Sequence, residues 1–218
     1  MLPSNSMNAL DQDLQMITAE MVRMLSLVRE SVGFARGALI DADAAAAERC
    51  AGNDQQVDEL QDRLEQHILS VIARRQPTAK DLRFLGAMHR ALSDIERAGD
   101  YAVHVARSGA ELADRPPLKK YTDMKRILEV EDAMLDTTIA AIAESDADAA
   151  RRALAMDEEI DELYEQIQRE LLTYMLEDPN TIGQATKLLS VGRYLERLGD
   201  HIENVCEHIV FWITAERV

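Results

Sequence analysis

Apolar residues recur along almost the whole chain at steps of three and four. Met16, Ala19, Val22, Met24 and Leu27 begin one stripe. Val57, Leu60, Leu64, Ile68 and Val71 form a second, and Met88, Leu92, Ile95, Ala102 and Ala106 a third. That spacing puts each set on one face of an α-helix. No convincing run alternates with the period of two that a half-buried strand requires. The pattern predicts six helices, at roughly 8–41, 44–75, 79–113, 120–144, 147–177 and 180–215. Pro77 and Pro179 each precede a long helix, and Pro116-Pro117 divides the chain near its middle. Residues 1–115 and 116–218 are therefore expected to form two units of three helices each.

The two units match in sequence. "DADAAAAERCAGNDQQVDEL" at 41–60 aligns with "ESDADAARRALAMDEEIDEL" at 144–163, an offset of 103 that puts Asp54 on Asp157 and Asp58 on Asp161. Pro77 falls on Pro179 at an offset of 102, and Glu-Arg-x-Gly-Asp occurs at 96–100 and again at 196–200. A slip of three residues is what small deletions between homologous helices leave behind. The expected fold is all-α: two tandem, homologous three-helix bundles.

Composition supports that fold and narrows the chemistry. Hydrophobic residues are 47% of the chain and aromatics only 4%, a balance that leans helical. The net charge is −16, divided as −5 in the first unit and −11 in the second. A nucleic-acid binder needs a basic face to neutralise phosphates, so direct DNA binding is not expected. No stretch is long and apolar enough for a spanning helix. The segment MLPSNSMNAL lacks the basic and apolar regions of a secretory signal. Two cysteines, Cys50 and Cys206, make no disulfide framework and fit a cytoplasmic protein with reduced thiols.

The candidate chemistry lies in carboxylates four residues apart. Glu96 and Asp100, Glu196 and Asp200, Asp54 and Asp58, and Asp157 and Asp161 each share a helix face. A short turn joins the second and third helices of a unit, so they are antiparallel neighbours whose acid pairs can face one another. Four close carboxylates raise one another's pKa, and a bound cation removes that repulsion. Oxygen-only ligands suit hard ions such as Mg²⁺, Ca²⁺ or Mn²⁺, and also iron. One such pair is simply a solvated acidic face, with Arg97 or Arg197 as an ordinary ion-pair partner. Recurrence of two pairs in both units favours metal. Gly99 and Gly199 each cost about 1 kcal/mol against alanine inside a helix, and close helix approach is the expected reason for them. His104 continues the Glu96–Asp100 face by one turn, where the second unit has Asn204. Trp212 is expected to dock the last helix. No Glu-x-x-His of the di-iron type, no glycine-rich phosphate loop and no nucleophile elbow is present. A metal-free helical scaffold and a divalent-metal-dependent enzyme remain as alternatives.

The doubled Glu-Arg-x-Gly-Asp, the Asp-x-x-x-Asp on the preceding helix, the length and the duplication together resemble the PhoU family of phosphate-transport regulators, over residues 8 to 215. The resemblance implies metal binding through Asp54, Asp58, Glu96 and Asp100, and through Asp157, Asp161, Glu196 and Asp200, with Mg, Mn, Zn or Fe as candidate ions. The family pattern often continues with asparagine, which Asn204 fits and His104 does not. The resemblance also implies a non-enzymatic, homodimeric, cytoplasmic regulator at the inner membrane face. Its expected partners are the ATPase subunit of the phosphate ABC transporter and a sensor histidine kinase.

Overall fold

The computed structural model describes residues 8–113 and 115–216. Most of the N-terminal segment MLPSNSMNAL therefore lies outside the described residues. Seven α-helices follow in order: α1 (Ala9–Ile40), α2 (Ala44–Arg75), α3 (Ala79–Ala113), α4 (Thr122–Glu144), α5 (Ala147–Leu154), α6 (Asp157–Glu177) and α7 (Ile182–Thr214), with a single 3-10 turn at Pro179–Thr181. No strand occurs among the described residues.

Local chemistry sets the ends. Asn8 and Asp11 form a reciprocal capping box at the start of α1. Asp43 and Asp146, equivalent in the duplication, cap α2 and α5 through side-chain oxygens that accept backbone N–H bonds. Gln76 and Ser145 close α2 and α4 in the left-handed conformation.

One predicted helix, 147–177, is two. The chain stays right-handed at Ala155 and Met156. The Met156 N–H, however, bonds the carbonyl of Ala153 at 3.0 Å instead of continuing the α ladder. Asp157, Glu158 and Glu159 then open α6, where the positive end of the helix dipole favours acids.

The first bundle packs α1, α2 and α3 together; the second packs α4, α5, α6 and α7. The bundles meet through α1 against α4 and, most extensively, α3 against α7. A single apolar core runs through both. The burial pattern of α1 repeats in α4 at 103 residues: Met21, Met24, Leu25, Val28, Val32, Ala38 and Leu39 correspond to Met124, Ile127, Leu128, Glu131, Leu135, Ala141 and Ile142. Trp212 docks α7 as expected, its ring 4.8 Å from that of Phe84. No helix among the described residues is long and apolar enough to cross a membrane.

The seam is also polar. Arg29 bonds Asp132 at 2.8 Å and also reaches Asp136. Tyr101 stacks on His201 with ring centres 5.7 Å apart, and His104 on Tyr194 at 5.1 Å. Asp94 lies 3.0 Å from Nδ1 of His201 and 3.4 Å from Nε2 of His208, and accepts from the Asn204 amide at 3.3 Å.

Candidate metal centres

In the first bundle, α2 carries Asp54 and Asp58 and α3 carries Glu96 and Asp100. Burial pushes the Asp54 carboxyl up to about 6, and the charges of Asp100 and Asp58 push the same way. Burial followed by Asp100 raises both Asp58 and Glu96, with Arg97 opposing at Glu96. The pairs therefore face each other across the α2–α3 groove, as the sequence predicts. Oδ1 of Asp54 is buried and accepts no hydrogen bond.

The second bundle repeats the arrangement more tightly. Asp157 is only 6% exposed. Its burial, then the charges of Glu203, Asp161, Asp200 and Glu196, raise it to about 7. Burial and Asp200 also raise Asp161 and Glu196. Asp161, Glu196 and Asp200 each offer one oxygen, all within 4.8 Å of one another. Asp157, Asp200 and Glu203 do the same. Both such groups among the described residues belong to the second bundle. Arg97 lies 3.7 Å from Glu96 and 3.8 Å from Asp100. Arg197 lies closer to its acids, 3.4 Å from Glu196 and 3.0 Å from Asp200.

Of the two motif glycines, Gly199 serves an acid as well as the packing. A Cβ added to Gly199 would stand 2.5 Å from Oδ1 of Asp157 and 3.0 Å from Cδ1 of Ile160. At Gly99 the corresponding Cβ would sit 3.5 Å from Oδ1 of Asp54. Gly199 thus admits a carboxylate from the facing helix, a role the apolar stripe alone does not reveal, whereas a side chain at Gly99 would make only an ordinary contact.

Other residues fall elsewhere. His104 stacks on Tyr194 at the seam. Cys50 and Cys206 are buried thiols, held up at about 11 and 12 chiefly by burial. Sequence reasoning missed Glu203 and Glu131. Glu203 was visible as the acid one turn beyond Asp200 and two beyond Glu196. Glu131 was visible as an acid inside the buried stripe Met124, Ile127, Leu128, Met134, Leu135.

A set of oxygen donors that repel one another, with buried oxygens on Asp54 and Asp157 that accept no hydrogen bond, fits a hard cation. Two antiparallel helices that present facing carboxylate pairs, repeated once in tandem, define a class of duplicated helical proteins built around acidic grooves. The PhoU domain model matches this chain twice, at residues 21–109 and 124–209, and the chain belongs to that family. A Deinococcus radiodurans relative, named phosphate-specific transport system accessory protein PhoU homolog, is 44% identical over 209 residues, 96% of this chain and 98% of that protein. The Pseudomonas aeruginosa homolog of the same name is 32% identical over 94% of this chain and 86% of its own. The crystal structure of PhoU from Pseudomonas aeruginosa superposes with a TM-score of 0.90 at 31% identity, covering 94% of this chain and 99% of that one. The PhoU regulatory protein of Streptococcus pneumoniae superposes at 0.87 and 26% identity, covering 96% and 99%.

Proposed function

We propose that this protein is a non-enzymatic, metal-binding accessory regulator of the phosphate-specific transport system. It restrains phosphate-starvation signalling and uptake when phosphate is plentiful. It does so by contacting the transporter's ATPase subunit and a sensor histidine kinase at the cytoplasmic face of the membrane, as a homodimer. The observation that carries this reading is the family match across both halves, together with relatives named for that transport system. The charge of −16 supports a route through protein contacts, because a phosphate backbone would repel this surface. Metal enters as the counter-charge of the carboxylate grooves: eight acids hold the ions, and the ions hold α2 to α3 and α6 to α7.

The test is deletion of the gene, with alkaline phosphatase or another starvation reporter measured in phosphate-replete cells. Constitutive expression, reversed by the wild-type gene, is expected. A reporter that stays repressed would overturn the link to starvation signalling.

A further inference from the structure

Two cavities lie where the bundles meet, and the duplication relates them. The first, of about 490 Å³, is walled by the ends of α1 and α3, the 115–121 linker and the start of α4. The second, of about 630 Å³, has the matching positions in its wall: Leu14 for Pro117, Thr18 for Tyr121, Ala19 for Thr122, Val22 for Lys125 and Trp212 for Leu112. Their charges differ. Arg115, Lys119, Lys120 and Lys125 line the first, and no acid is among its described lining residues. The second has one charge of each sign, Lys80 beside Asp81. At the offset of 103 that relates α4 to α1, Lys119, Lys120 and Lys125 become Met16, Ile17 and Val22; at the offset of 100 that relates α7 to α3, Arg115 becomes Ala215. The fold therefore does not require these cations, which gather at one place on a chain of net charge −16.

Four like charges around one cavity repel, and the nearby acids neutralise them only in part. Lys119 is already paired: its side chain is 5% exposed, lies 3.3 Å from Asp123, and also bonds Glu170. Lys125 lies 3.9 Å from Glu129, an exposed pair that solvent screens. Arg115 and Lys120 have no acidic partner among the described residues. The start of α4 adds to the positive potential, because Tyr121 at its N-cap makes no side-chain cap bond to the first N–H groups. At the matched place in the second cavity α1 has been helical since Ala9. The rest of the first lining is largely apolar and includes Leu39, Ile40 and Leu112. The linker that carries the cations is tied down, the Gln184 amide donating to the carbonyl of Pro116 at 3.0 Å. We infer that this cavity binds a small phosphorylated organic molecule. Arg115, Lys120 and Lys125 hold its phosphate at the start of α4, and Leu39, Ile40 and Leu112 receive its apolar part. A phosphate monoester carries about two negative charges and three acceptor oxygens, and so matches three cations better than a carboxylate does. The volume also suits such a ligand, since small-molecule sites occupy about 300–1,000 Å³. The inference goes beyond the regulatory role proposed above and uses none of the motif acids.

Isothermal titration calorimetry of the full-length, metal-stripped protein with 1-naphthyl phosphate tests it; without metal, phosphate cannot bridge to the acidic grooves. One site per chain is expected, with 1-naphthol and inorganic phosphate each at least ten-fold weaker. Arg115→Ala/Lys120→Ala/Lys125→Ala, all at exposed positions, is expected to weaken 1-naphthyl phosphate at least ten-fold. Ala113→Trp fills the cavity from an exposed position at the end of α3 and should do the same, with unchanged helicity by circular dichroism. Lys80→Ala, in the second cavity, should leave binding as it is. No binding by wild type, equal binding of 1-naphthol or of inorganic phosphate, or a triple variant that binds like wild type overturns the inference. The regulatory reading would stand in each case, since its reporter assay does not depend on this cavity.

Discussion

Gly199 is the space into which Asp157 fits: a methyl group there would stand 2.5 Å from the carboxylate oxygen, closer than real side chains approach. Its counterpart Gly99 leaves 3.5 Å to Asp54, an ordinary contact. The same substitution should therefore have opposite signs in the two bundles. Gly99→Ala gains helix propensity of up to about 1 kcal/mol. Gly199→Ala must displace both Asp157 and Ile160, and costs about 1–3 kcal/mol as an overpacked core does. Denaturant melts of the two variants check this; equal shifts would refute it.

Protonation of the grooves makes the stability of the metal-free protein depend on pH. Asp54 and Asp157 titrate at about 6 and about 7 when folded, against an ordinary 3.8. A raised acid binds its proton more tightly in the native state. Its contribution is complete below about pH 4 and is lost as pH rises through the folded values. The metal-free Tm should fall between about pH 4 and pH 7 and level off above. Mn²⁺ needs the carboxylates deprotonated, so the rise in Tm it produces should grow over the same interval. Scanning calorimetry with and without Mn²⁺ gives both slopes. A flat metal-free profile would contradict the burial of these two groups.

Asp94 and Arg29 both join the bundles, and they should not matter equally. Asp94 is opposed by burial, yet His201 and His208 hold its carboxyl down at about 2. Asp94→Asn is expected to cost about 1–3 kcal/mol, the range for hydrogen bonds to a charged group. A depressed acid contributes fully above its ordinary pKa and is lost as pH falls toward the folded value. The deficit of the variant should therefore shrink below about pH 4. The Arg29 side chain is 36% exposed and Asp132 50%, so solvent screens that pair. Arg29→Ala should cost at most about 1 kcal/mol. Urea melts that rank Arg29→Ala as the more damaging change would reverse this assignment.

Metal content offers the direct check on the motif acids. Elemental analysis of wild type and of Glu96→Ala/Asp100→Ala/Glu196→Ala/Asp200→Ala should show ions lost from both bundles in the variant. The variant also loses four repelling carboxylates, so its metal-free form should melt no lower than wild type. Equal metal content in the two proteins would remove these residues from the site.

Much of the fold was legible because its helices obey one rule throughout. The stripe from Val57 to Val71 and the stripe from Met88 to Ala106 are the buried faces of α2 and α3, and the ends fall at the proline turns and aspartate caps. The break at Ala155–Met156 was not legible. Neither residue is glycine or proline, the backbone stays right-handed, and the change is confined to the N–H groups of Met156 and Glu159, which bond three residues back. The eight motif acids could be found by their spacing and their repetition. Glu131 could not be found that way, because its meaning comes from Val28 at the same place in the other bundle, and that pairing of α1 with α4 becomes clear only from their shared burial. The seam residues were hidden for the same reason. Asp94 and His201 belong to helices that sequence alone does not bring together, and His104 shares a face with the acids yet spends its ring on Tyr194.

The seam has the form of a symmetric dimer interface drawn inside one polypeptide. Arg29 bonds Asp132, which is its own duplicate at 103 residues, and Tyr101 stacks on its duplicate His201. The contact between Asp94 and His201 has as its mirror the approach of Tyr194 to Tyr101; that between Asp94 and Asn204 has the stacking of Tyr194 on His104. An isologous interface uses each contact twice. Here one copy has become aromatic and the other ionic. Two first halves would set Arg29 against a second Arg29, and two second halves would set Asp132 against a second Asp132, so like halves would lose the ionic contacts of this seam. The twofold of the duplication survives as geometry, while the chemistry of its two copies differs.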